Sequence, residues 1–148
     1  MDNLHEVDAW LDALLAKLEP AERKKMLREV ARDMRRIQQA NMTAQRAPDG
    51  SAWEPRRVSA RTKPGRIKRK MFTKLKTAKY LKTKATGDSA EVAFIPAVQR
   101  LARVHHYGLR DKVNKNGVTL IYPERRLLGL NKKIEGEVKN ILLLWLAV

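Results

Sequence analysis

Apolar positions in the N-terminal stretch recur at intervals of three and four residues. Leu4, Val7, Leu11, Leu14, Leu15 and Leu18 fall on one stripe, which predicts a helix over residues 3–18. Asn3 is placed to cap it, with Glu6 in capping-box position, and Trp10 flanks the stripe. Pro20 breaks this helix and can open the next as its first residue. Over residues 20–44, Met26, Leu27, Val30, Met34 and Ile37 make a narrow seam, while Arg and Lys fill the opposite face. A narrow seam packs against one neighbour. That neighbour is either the first helix, in a helical hairpin over 1–44, or another subunit.

Residues 45–66 read as a loop. Ala47-Pro48-Asp49-Gly50 is a turn by composition, and Lys63-Pro64-Gly65 a second. Trp53, an aromatic in polar surroundings, is expected to fold back and anchor the loop. Ile67, Met71, Leu75 and Ala78 then follow helical spacing, with Phe72 beside them. From Tyr80 the pattern alternates. Leu81, Thr83 and Ala85 face one way, Thr86–Ser89 turn the chain, and Val92 and Phe94 point inward on the return.

Pro96 opens a short helix through Val98, Leu101 and Ala102 that ends near Gly108. Residues 110–117 read as a polar loop, and Val118–Tyr122 as a short strand stopped by Pro123. Asn131 caps a last helix striped by Ile134, Val138, Ile141, Leu142 and Trp145. Its final turns are apolar on nearly every side, so another element or another subunit is expected to cover them. The subunit reading draws Leu27, Val30, Met34, Ile37, Leu142 and Trp145 into one interface. The fold expected is α+β: an N-terminal helical hairpin, a small and mostly antiparallel sheet, and a C-terminal helix. The chain is taken as one domain over 1–148, with hairpin 1–44, loop 45–66 and α+β body 67–148.

Charge changes this picture. The 148 residues carry 32 Lys and Arg against 16 Asp and Glu, a net +16, and no cysteine. Residues 1–20 are acidic, with five acids and one lysine, whereas residues 56–84 hold thirteen bases and no acid. Arg56, Arg57, Arg61, Arg66, Lys68, Arg69, Lys70 and Lys74 form a candidate surface for docking a partner or facing nucleic acid. Phosphate contact needs such charge and little geometry. Few aromatics accompany it, so contact with DNA would be to the backbone and without sequence preference.

Chemistry is thin elsewhere. Without cysteine there is no disulfide or thiolate site. His5, His105 and His106 lack chelating spacing, so no metal or other cofactor is expected. His105 and His106 read as polar packing at a helix end, where a partly charged imidazole is favoured. No phosphate-binding glycine loop and no nucleophile elbow occurs, and no enzyme is inferred. The longest apolar run, Ile141–Val148, is too short to span a membrane, which takes about 20 residues. The N-terminus shows no export signal. The expectation is a soluble protein without membrane contact.

Four local patterns combine in order: Ala47-Pro48-Asp49-Gly50-x-x-Trp53-x-Pro55, Arg69-Lys70-Met71-Phe72, Val104-His105-His106-Tyr107-Gly108-Leu109, and Tyr122-Pro123-x-Arg125-x-Leu127-Leu128-Gly129. Together they resemble the phage virion morphogenesis, or tail completion, family of contractile-tailed temperate and Mu-like phages. The resemblance covers roughly residues 4–146. It departs at His106-Tyr107, where the family usually has Gln-Phe, and at Glu124, where Ala is common. It implies a structural virion protein in the tail and neck that completes the tail at its head-proximal end for head–tail joining. It further implies assembly in the host cytoplasm, a homo-oligomeric ring of six copies by analogy with related terminator proteins, and contacts with tube, sheath and connector proteins. His105, Tyr107, Gly108, Pro123, Arg125, Leu128 and Gly129 are then fold determinants. The competing reading is a stand-alone, basic, non-sequence-specific nucleic-acid-binding module.

Overall fold

A computed structural model describes residues 6, 8–10, 12–13, 16, 18–56, 70–112 and 116–146. Among the described residues of the first segment, Glu6, Asp8, Ala9, Trp10, Asp12 and Ala13 are helical. Most of the predicted leucine stripe lies outside the described residues, and with it the packing expected of the hairpin. The long helix α1, Pro20–Thr43, starts at its proline, as the fixed φ of that residue favours.

The seam of α1 meets the C-terminal helix of the same chain. That helix, α3, spans Lys132–Leu146. Met26 and Val30 of α1 pack with Ile141 and Leu142 of α3, and Leu18, Leu27, Met34, Val138 and Trp145 surround them. Val30, Ile37 and Leu142 are each only 4% exposed. The indole N–H of Trp145 donates to Glu29 at 2.7 Å. The side chains assigned to a subunit contact are therefore taken up within the protomer, because two apolar stripes of one chain cover each other at no cost in association entropy. Leu143 and Leu144, on the other side of α3, stay exposed. Asn131 caps α3, its Oδ1 accepting from the Ile134 N–H at 2.8 Å.

Strands β1, Leu81–Ala85, and β2, Ala90–Phe94, pair antiparallel with Leu81 opposite Phe94 and Thr83 opposite Val92. The Thr86–Ser89 turn closes the pair through the Thr86 N–H donating to Ser89 O at 2.8 Å. Leu81 and Phe94 are buried while Lys82 and Lys84 are exposed, the alternation that the sequence carries. Helix α2, Pro96–Tyr107, ends at Gly108 in the left-handed conformation (φ 67°).

Three further expectations fail. The basic stretch before β1 is not a helix: residues 70–80 run through consecutive turns. Phe72 sits at φ 61°, which no α-helix tolerates, and the Thr77 hydroxyl donates to Lys74 O at 2.6 Å, competing with the helical ladder. Lys70 and Lys74 also repel at helical spacing. Residues 110–117 are not wholly loop either. Arg110–Lys112 form β3, paired antiparallel with β4, Thr119–Ile121, in a second two-stranded sheet. This ribbon buries no complete face, so its sequence shows no alternation. Leu101, expected on the inner stripe of α2, is 48% exposed.

Among the described residues the interior has two centres along α1. One lies around Met26; the other gathers Met42, Ala47, Trp53, Leu75, Leu81, Phe94, Ala102 and Leu127. Sixteen residues separate Met26 from Met42, about 24 Å of helix.

Candidate functional site

The second centre is where the four sequence patterns meet. After α1 the chain turns sharply at Gln45 (φ 57°). Arg46 bridges Ala52, and the Gly50 N–H donates to Ala47 O at 2.9 Å, closing the turn between them. Asp49 accepts from the Ser51 N–H and hydroxyl, which holds its carboxyl below the usual range. This turn delivers Trp53 into the interior, 7% exposed. Its indole N–H donates to Arg126 O at 2.9 Å, and its ring meets Phe72 edge to face at 5.5 Å.

From Phe72 a chain of rings continues. His105 lies 4.9 Å from Phe72 and 4.7 Å from Tyr122, both edge to face. Backbone bonds tie the end of α2 to the segment after β4. Arg125 N–H donates to His105 O at 2.8 Å and Tyr122 N–H to Leu109 O at 3.1 Å. Gly108 makes that approach feasible, because a Cβ there would stand 2.9 Å from the Glu124 nitrogen. Gly129 likewise passes close to the Pro48 ring, and its carbonyl accepts from Gln38 at 2.6 Å. Leu127 is fully buried and Leu128 packs beside it.

The neutral form of both histidines is favoured, where the sequence suggests a partly charged helix end. Burial lowers each below its ordinary value of 6.5, and Arg125 beside His105 and Arg126 beside His106 add to the effect; Asp111 and Glu124 oppose it. His106 Nδ1 accepts from the Leu127 N–H at 3.1 Å, so its proton resides on Nε2. Tyr107 is exposed, with the Arg126 guanidinium over its ring at 5.3 Å.

Arg125 is 3% exposed and donates through Nε to Glu54 O at 2.8 Å and through Nη2 to Pro55 O at 3.2 Å. It clamps the chain where the basic segment departs. Gln45 does the same where that segment returns. Its Oε1 accepts from the Met71 N–H at 2.7 Å and its Nε2 donates to Met71 O at 3.0 Å. Sequence reasoning missed Gln45 and Gln38. Gln38 carries a weak signal, a polar residue next to Ile37 on the seam; Gln45 carries none.

Between these anchors lies an open groove of about 700 Å³. Met71, Phe72, Leu75, Leu101, Leu120 and Tyr122 form its floor, His105, Pro123 and Arg125 border it, and Arg56, Lys70 and Lys74 stand at its rim. Three members of the predicted basic surface are thus brought together with Trp53 and the histidine motif. Arg57, Arg61, Arg66, Lys68 and Arg69 lie outside the described residues. Among the described residues that line it there is no Ser, Cys, Asp or Glu. The arrangement suits docking by apolar contact and charge.

A model of the phage virion morphogenesis family matches residues 2–147. The chain is 35% identical over 145 residues to tail completion protein S of Escherichia phage P2, covering 97% of each chain. No solved structure matches it.

Proposed function

The chain belongs to the phage virion morphogenesis family, and from that membership we propose that it completes the phage tail at its head-proximal end, so that a DNA-filled head can join. The carrying observation is the 35% identity along 97% of both chains to a tail completion protein. Identity spread over the whole length favours one shared task over a borrowed module. In this reading the protein is a structural component of the virion tail, it is assembled in the host cytoplasm, and it acts by contact rather than turnover. Several copies form a ring, for which six is the working number, and a ring needs a head-to-tail interface that closes. The basic segment from Arg57 to Arg69 meets neighbouring tail proteins such as tube, sheath or connector. DNA passing the ring is touched through its phosphates only.

The test is a phage with this gene deleted, complemented from a plasmid. Deletion is expected to leave filled heads and unjoined tails in electron micrographs of the lysate, with joining restored by the plasmid. Normal virions from the deletion would overturn the proposal. A stand-alone nucleic-acid module predicts instead tight DNA binding that falls steeply with salt.

A further inference from the structure

We propose that the groove between α2 and the β3–β4 ribbon receives the acidic N-terminal segment of a neighbouring copy of this chain. The inference rests on the ring reading above and names the contact that would build it. The groove floor leaves Leu101 48% and Leu120 40% exposed. Lys70 and Lys74 stand over that floor, exposed, and neither makes a salt bridge among the described residues. An apolar floor with Lys70 and Lys74 beside it fits an amphipathic segment that carries carboxylates.

The chain itself contains such a segment. Residues 1–20 have a net charge of −4 within a protein of +16, so the remainder carries +20. Asp8 and Asp12 lie one helical turn apart, both exposed. Leucines spaced by three and four supply the apolar stripe to meet the floor. Without such pairing, copies this basic would repel each other.

Leu18 packs at the Met26 centre of α1, whereas the groove adjoins the Met42 centre, about 24 Å further along the helix. The acidic segment thus joins α1 at the end away from the groove. A contact between unlike surfaces repeats head to tail and closes into a ring when the rotation permits.

The absence of cysteine makes the test direct. One full-length chain carries Trp10→Cys, beside the leucine stripe, and a second, differently tagged full-length chain carries Thr73→Cys, at the groove. Asp8→Cys on the other flank of the stripe serves as a second donor. The mixed chains are oxidised at low salt. The expected result is a disulfide-linked pair of the two chains, its yield cut at least tenfold by Lys70→Glu with Lys74→Glu and recovered by Asp12→Lys on the donor. A further chain carrying both Trp10→Cys and Thr73→Cys that closes only an intramolecular disulfide, with no link between the two single-thiol chains, would overturn the proposal. Oligomers seen by mass photometry without either crosslink would overturn this contact and leave the ring reading standing. A chain monomeric at every concentration, with no crosslink, would overturn both.

Discussion

Replacing Trp53 tests whether the four patterns form one packed unit. The indole is 7% exposed, donates to Arg126 O at 2.9 Å, and meets Phe72 at 5.5 Å. Trp53→Ala removes a large buried ring and leaves a cavity, which costs about 3–5 kcal/mol. Trp53→Phe keeps most of the ring and strands the Arg126 carbonyl, which costs about 1–3 kcal/mol. For a chain of this length, each kcal/mol moves the melting temperature by roughly 3 °C. Trp53→Ala is then expected to melt about 9–15 °C lower, and Trp53→Phe about 3–9 °C lower. Urea unfolding followed by circular dichroism gives the free energies. A double-mutant cycle with Phe72→Leu isolates the ring contact, expected at about 0.5–1.5 kcal/mol. A loss below about 1 kcal/mol for Trp53→Ala would refute the reasoning, since it would mean that the loop is not packed on the 122–128 segment.

Gly108→Ala combines a left-handed backbone (φ 67°) with a Cβ 2.9 Å from the Glu124 nitrogen. It should cost at least about 2 kcal/mol in urea unfolding, more than the roughly 1 kcal/mol of an ordinary helix-end substitution. Asn131→Ala removes the α3 cap and the bond to Pro48 O at 2.9 Å; about 1–2 kcal/mol is expected, with Asn131→Asp recovering the cap only. Stability should also fall with acidity. His105 and His106 have folded values depressed below 6.5, so the unfolded chain binds protons first. Stability is full above that value and is lost as pH drops through it towards the folded values. Melting temperatures at pH 7.5 and 5.5 should show the drop, and His105→Phe should shrink it; an unchanged drop in that variant would place the titration elsewhere.

How much of this was legible in the sequence depends on the range of the force involved. Local rules sufficed for the starts of α1 and α2 at Pro20 and Pro96, the Asn131 cap, the Gly108 stop and the β1–β2 alternation, because each depends on a residue's own φ or on neighbours a few positions away. Charge segregation between residues 1–20 and 56–84 was likewise a matter of counting. The basic stretch over 70–80 misled because Met71, Leu75 and Ala78 keep helical spacing, while Phe72 is held at φ 61° by tertiary contacts with Trp53 and His105.

What only the tertiary structure decided is which apolar surface covers which. A stripe on a helix states that it needs a partner and not who supplies it, so the seam of α1 reads equally as a hairpin or a subunit face until α3 is seen on it. The same holds for His105: its position in the chain suggests a charged helix end, but its burial between Phe72 and Tyr122 is a three-dimensional fact, and that burial favours the neutral ring. Gln45, Gln38 and the partners of Arg125 belong to this second class. Each of these three side chains acts on a backbone group 26 to 91 residues away, at a distance where spacing along the chain carries no signal and only the closed fold brings donor to acceptor.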